Sequence, residues 1–187
     1  MATTKDTLLA LIRNMINDNI QNGTDIYTYT TSSVFTLSES NAAAISDVCV
    51  NDVSSGVTYT FDSTLKKVTI SSSLSVDDIV EIDYTYYSNY SDTELAAYIK
   101  NALVYLSVNQ YGEFILDTTT DYVYPTPSSA EVNLIATIVA ILINPENKSY
   151  RTPDFSITVK NSMSTSDIIA KTIATFKKSG AGMYAII

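Results

Sequence analysis

The sequence predicts an α+β protein: a helical bundle of about four helices interrupted by an inserted small antiparallel β-sandwich or curled sheet. Three observations predict it. The apolar period changes from helical to two at Ile26 and returns to helical after Tyr87; two Ser-x-x-Glu capping boxes, Ser91–Glu94 and Ser128–Glu131, open later helices; and residues 132–143 are apolar on nearly every side. The predicted organisation is a bundle from 1–25 and 88–180, a β subdomain at 26–87, and a docking tail at 181–187. A chain of 187 residues is long enough for such a pair of modules.

The first helix is predicted from Lys5 to Ile20. Leu8, Leu9, Ile12, Met15, Ile16 and Ile20 share one stripe, while Arg13, Asn14 and Asp18 occupy the other face. Asn22-Gly23 is the expected stop, because glycine accepts the left-handed backbone that closes a helix. Six short β-branched or aromatic runs follow: Ile26 to Thr30, Val34 to Leu37, Ile45 to Val50, Val57 to Phe61, Lys67 to Ile70 and Ile79 to Tyr87. The fourth and fifth form a hairpin with its tip near Asp62 to Leu65.

The second helix buries Leu95, Ile99, Ala102, Leu103 and Leu106 and stops at Gly112. Residues 113–127 are expected to be a linker, with Asp117 to Asp121 and Tyr124-Pro125-Thr126-Pro127 as turn signals. The third helix spans too little length to cross a ~30 Å bilayer and is expected at the centre of the bundle. Asn144-Pro145 ends it, and Phe155 to Lys160 alternates like a strand. The last helix is predicted from Ser164–Ser166 to Lys178, burying Ile168, Ile169, Thr172, Ile173 and Phe176.

Charge is uneven. Up to residue 147 the chain holds five basic and eighteen acidic residues; beyond it, six basic and two acidic. An acidic body with a basic end favours association with copies of itself or docking on an acidic partner, and argues against nucleic-acid readout. Alternatively, Lys177 and Lys178 only complement a helix C-terminus. The segment after the last helix, Ser179-Gly180-Ala181-Gly182-Met183-Tyr184-Ala185-Ile186-Ile187, joins a glycine hinge to an apolar run that is costly to leave in water and is expected to dock. The amino-terminal residues resemble neither an export signal nor a transit peptide.

Several chemistries are disfavoured. Without histidine, Ser-His-Asp and Cys-His systems cannot be built and the commonest zinc and haem ligand is missing. The five glycines form no phosphate loop or dinucleotide fingerprint, so no cofactor is expected. Ser63 to Lys66 is a Ser-x-x-Lys pattern at a hairpin tip, whereas acyl-enzyme chemistry wants that serine on a buried helix. Asp77, Asp78, Glu81 and Asp83 could ligate a hard cation but lack calcium-loop spacing and fit a solvated face better. Cys49, the sole cysteine, is expected to pack as a small buried hydrophobe. The fourteen tyrosines fit core and interface packing better than ligand stacking. No catalytic or metal-binding residue is assigned.

The helix Leu8-Leu9-Ala10-Leu11-Ile12-Arg13-Asn14-Met15-Ile16-Asn17-Asp18, the closing strand Val80-Glu81-Ile82-Asp83-Tyr84-Thr85-Tyr86-Tyr87 and the opening Tyr90-Ser91-Asp92-Thr93-Glu94-Leu95 together resemble the head-to-tail adaptor (connector) proteins of tailed bacteriophages. The resemblance implies a structural, non-enzymatic virion protein, made in the host cytoplasm and sited at the head–tail junction. Such adaptors form a ring, usually a dodecamer, beneath the portal, with an axial channel for DNA and further tail or neck proteins below; no membrane is involved. It also implies that Lys171 to Ile187 face the portal, with Lys171, Lys177, Lys178, Gly180, Gly182, Met183, Tyr184, Ile186 and Ile187 as docking residues. The simplest adaptors have no fixed counterpart of the β insert. Two other readings stay open: a tail- or fibre-associated β adhesion module, and a carboxylate-based glycoside hydrolase, which would need two carboxyls about 5–9 Å apart in an aromatic cleft.

Overall fold

A computed structural model describes residues 4–146, 149–151, 156–158 and 163–179. The fold is α+β. Four helices, α1 (Thr4–Ile16), α2 (Asp92–Val108), α3 (Ser129–Ile143) and α4 (Thr165–Ser179), are interrupted after α1 by six strands: β1 (Ile20–Thr28), β2 (Val34–Thr36), β3 (Ala42–Val50), β4 (Tyr59–Asp62), β5 (Lys67–Ile70) and β6 (Ile79–Tyr87). Two small hairpins complete the described residues, β7 (Ile115–Asp117) with β8 (Tyr122–Tyr124), and β9 (Ser149–Arg151) with β10 (Ser156–Thr158). The chain divides into two compact units, Asp18–Ser91 and the remainder.

The helical unit is organised by α3. Its eight consecutive residues Leu134 to Ile141 are all buried, including Thr137, whose hydroxyl donates to the Asn133 carbonyl at 2.8 Å. A helix apolar on every side must be covered on every side, and α1, α2 and α4 all pack on it. Its start is a complete capping box: the Ser128 hydroxyl accepts from the Glu131 amide, and the Glu131 carboxylate accepts from the Ser128 amide at 2.7 Å. No helix among the described residues is long and apolar enough to cross a membrane.

The first helix is shorter than its apolar pattern. Asn17, with φ 58°, ends it, and residues from Ile20 pair with β6, Ile20 facing Tyr87 and Gly23 facing Tyr84. Long-range pairing thus overrides the helical stripe. Gly23 is not a helix stop; a Cβ there would lie 2.9 Å from the Tyr84 ring. Arg13 and Asp18, expected on the solvent face, are both buried. The Arg13 guanidinium reaches the Asp92 carboxylate at 2.7 Å in the first turn of α2, and Asp18 accepts from the Asn89 amide at 3.1 Å. Gly112 does not stop α2 either. Gln110, with φ 54°, closes it: its amide donates to the Ser107 carbonyl and that of Tyr111 to the Leu106 carbonyl, a Schellman arrangement.

The expected linker after α2 contains the β7–β8 hairpin. Asp117 builds its turn, accepting from the Thr119 amide and the Thr120 hydroxyl, and Leu116 and Val123 bury its inner side against α2 and α1. Lys5 fastens α1 to this turn through the Asp121 carboxylate at 2.9 Å.

In the β unit two antiparallel sheets, ordered β1-β6-β3 and β2-β5-β4, share a core of Phe35, Leu37, Ala42, Val48, Val68, Ile70, Val80, Ile82 and Tyr84. The expected hairpin is β4–β5, closed by Asp62 accepting from the amides of Thr64 and Leu65. β3 begins three residues before the predicted run, because Ala42 and Ala44 pair with Tyr86 and Thr85 across a bulge.

A polar cluster links the sheets. Asp25 on β1 accepts from the Ser38 amide and hydroxyl, each at 2.7 Å, and from Tyr27. Ser38 also meets the Tyr84 hydroxyl at 2.9 Å, and Tyr27 donates to the Thr36 carbonyl. Burial pushes the Asp25 carboxyl up, but the hydrogen bonds from Ser38 outweigh it and leave the group below its ordinary value. Burial, then the Asp25 charge, pushes the Tyr27 phenol well up.

Two outcomes are expected. Gly23→Ala must displace the Tyr84 ring, which the Ser38 contact and core packing resist, and should lower stability by about 1–3 kcal/mol in urea unfolding. Since the Asp25 carboxyl is depressed in the folded state, its contribution is complete above its unfolded value of about 3.9 and lost as pH falls through the folded value. The stability gap between wild type and Asp25→Asn should therefore be full at neutral pH and close below about pH 4.

Candidate functional site

The residues assigned to docking begin on α4. Ser164 caps this helix, its hydroxyl accepting from the Asp167 amide at 3.2 Å and bonding the Asp167 carboxylate at 2.6 Å. Ile168, Ile169, Thr172, Ile173 and Phe176 form its buried face, the five residues that helical spacing selects. That burial turns Lys171 and Lys178 outward, where both are exposed. A helix with one face locked in the bundle and lysines on the other presents fixed positive charge.

Lys177 behaves differently. Although exposed, its ammonium donates to the carbonyls of Asn109 and Gln110 at 3.0 and 3.1 Å, just past the end of α2. Helix C-termini leave carbonyls without intrahelical partners and carry partial negative charge, so a cation is favoured there. Lys177 thus complements a helix C-terminus, that of α2 as opposed to its own. The assigned residues Gly180, Gly182, Met183, Tyr184, Ile186 and Ile187 lie outside the described residues.

An aromatic cluster joins the last turn of α4 to the segment after α2. The Tyr111 ring meets Phe176 edge-on at 5.8 Å and stacks on Phe114 at 6.4 Å, while its hydroxyl donates to Glu131 at 3.0 Å. Burial, then the Glu131 charge, pushes this phenol well above its usual value. Phe114 also lines a groove of about 420 Å³ with Lys100, Leu103, Val104, Ser107, Glu113, Ile115 and Leu116. Sequence reading missed this feature. Its signal was a second apolar stripe on α2, Ala97, Val104 and Val108, opposite the stripe that enters the core.

The weaker candidates are dispersed. The Lys66 ammonium donates to the Ala42 carbonyl at 2.7 Å and so is directed away from any partnership with Ser63. Asp78 accepts from Asn51 and from the Ser75 amide; the Ser75 bond, then Asn51, depresses its pKa. Asp83 instead accepts from the Thr24 hydroxyl on the neighbouring strand. Among the described residues no group of three or more carboxylates or thiols is placed to hold a metal ion. Cys49 is not the core residue its apolar neighbours predict. It is half-buried, because Val48 takes the inward position on β3, and its thiol lies 3.5 Å from Asp47. Partial burial, then Asp47, pushes its pKa up, which disfavours the reactive thiolate.

In comparison with known proteins, the chain matches no family model and no curated relative.

The three lysines are expected to separate by substitution. Lys177→Met should lower stability by about 0.3–1 kcal/mol through the lost contact with the end of α2. Lys171→Met and Lys178→Met should each stay within about 0.5 kcal/mol of wild type, measured by urea unfolding.

Proposed function

We propose that this chain is a structural head-to-tail connector of a tailed bacteriophage, assembling as a ring that joins the portal of the head to the tail and leaves an axial channel for DNA. The observation that carries the reading is α4: its apolar face is locked in the bundle, Lys171 and Lys178 stand outward, and the apolar run 183–187 follows within a few residues. A basic helix followed in sequence by Gly180, Gly182 and an apolar run has the makings of a docking arm. It offers charge for steering and apolar area for affinity. The resemblance of residues 8–18, 80–87 and 90–95 to phage adaptors gives the arm its partner, the portal protein.

In this reading the helical unit makes the lateral ring contacts, and further tail or neck proteins bind below. The acidic excess before residue 148 suits a channel through which DNA slides, since carboxylates repel phosphate. The role is mechanical and requires no cofactor. Such a protein is a virion component at the head–tail junction, made in the host cytoplasm.

Cryo-microscopy of particles carrying the wild-type chain, or one ending at Ser179, tests this. The expected result is a ring of the wild-type chain beneath the portal, and heads without tails for the truncated chain. Thermal unfolding of the purified truncated chain checks that its helices remain folded, and Met183→Asp supplies a full-length variant with the same expected defect. Location at a tail tip, or full infectivity of both variants, would overturn the proposal.

A further inference from the structure

The β unit leaves one strand edge unprotected. Sheet edges offer unpaired amides and carbonyls to any passing strand, and folded proteins blunt them with bulges, lysine, proline or shortness. Three of the unit's four edge strands are blunted: β2 and β4 are three and four residues long, and β3 is broken by two register shifts. β1 is the exception. It runs nine residues in unbroken register with β6, carries no lysine or proline, and spends its one charge, Asp25, inward on Ser38 and Tyr27.

The ladder fixes which groups face outward along this edge. The Tyr29 amide donates to the Asp78 carbonyl, and on the far side of β6 the Ile79 carbonyl accepts from the Asn51 amide. Because hydrogen bonding alternates along an antiparallel strand, Gly23, Asp25 and Tyr27 direct their backbone groups at β6, and Ile20, Asn22, Thr24 and Ile26 direct theirs away from it. The same four residues are exposed, Ile20 to 53% and Ile26 to 66%. The open edge therefore carries free amides and carbonyls together with two solvent-facing isoleucines.

We infer that β1 pairs antiparallel with β1 of a second copy, about a two-fold axis at Gly23. In that register each Ile20 faces the second copy's Ile26, Asn22 faces Thr24, and the Asp25 carboxylate faces the Gln21 amide. The strand is thus complementary to itself. A slide of two residues in either direction separates the isoleucines, and a slide of four toward Thr28 sets Asp25 against Asp25, a repulsive pair. The favoured register yields about eight backbone hydrogen bonds, within the roughly 5–15 of a typical interface. A two-fold contact joins two copies and stops, so the pair is a form of the unassembled chain and no cyclic ring contains it. It does not depend on the connector reading.

Sedimentation velocity over a concentration series, with residue-resolved amide exchange by NMR, tests the pairing on the purified full chain. The expected result is a concentration-dependent dimer in which the amides of Asn22, Thr24 and Ile26 exchange at least about tenfold more slowly than in the monomer. Two variants should each restore the monomer. Asn22→Pro removes an edge donor that β6 does not use, and Ile26→Lys sets a lysine on the exposed face opposite Glu81. Retained protection at Gly23, Asp25 and Tyr27 checks that β1 still pairs with β6 in both. A chain that stays monomeric up to about 1 mM would overturn the inference. So would a dimer whose Asn22, Thr24 and Ile26 amides exchange at the monomer rate, or one that survives either variant, since each would place the contact elsewhere. These outcomes are read on the unassembled chain and leave the connector reading standing; the particle images decide that one separately.

Discussion

The helical unit depends on one constraint: α3 has no side that water can solvate. Leu134 to Ile141 are buried without a break, and each large aliphatic side chain among them contributes about 1.5–3 kcal/mol when removed from water. Three helices are needed to cover such a rod, and α1, α2 and α4 each spend their apolar face on it. The orientation of α4 follows from that requirement. With Ile169, Ile173 and Phe176 directed inward, Lys171 and Lys178 have only the outside, and Lys177 falls against the open carbonyls after α2.

The same constraint explains the groove. α2 gives Leu95, Ile99, Ala102, Leu103 and Leu106 to the core, yet carries Val104 and Val108 on its outer side. Apolar residues on two faces of a helix mean two surfaces to cover, and the β7–β8 hairpin covers only part of the second. The hairpin is anchored from below by Leu116 and Val123 and from the side by Lys5, which leaves Ile115 exposed above.

The β unit solves a different problem, that of making two small open sheets into one stable body. Its core sets two aromatic side chains, Phe35 and Tyr84, among aliphatic ones such as Leu37, Ile70 and Ile82, with Tyr27 packed on Phe35 at 5.0 Å. Buried phenols need partners. Asp25 and Ser38 supply them, so the cluster that satisfies the tyrosines also ties β1 to the link between β2 and β3. At the base of the unit Asp18 accepts from Asn89, clasping the chain where it enters and leaves. A carboxylate can be buried there because backbone and side-chain amides both donate to it.

By itself the sequence determined the class of fold, the four helices, most of the strands and the whole buried face of α4, because side-chain periodicity and capping residues act over a few neighbouring positions. The α3 capping box and the β4–β5 turn were legible for that reason. Only the tertiary structure decided where α1 ends, since Ile20 continues a helical stripe, yet Ile20 to Gly23 pair with Tyr84 to Tyr87, more than sixty residues away. It likewise decided that Arg13 and Asp18 are interior, that three-residue strands at Ile115 and Tyr122 form a hairpin, and that Lys177 belongs to the end of α2. Each of these rests on a partner distant in sequence, and local pattern carries no information about which distant group will complete a charge, an amide or an apolar surface.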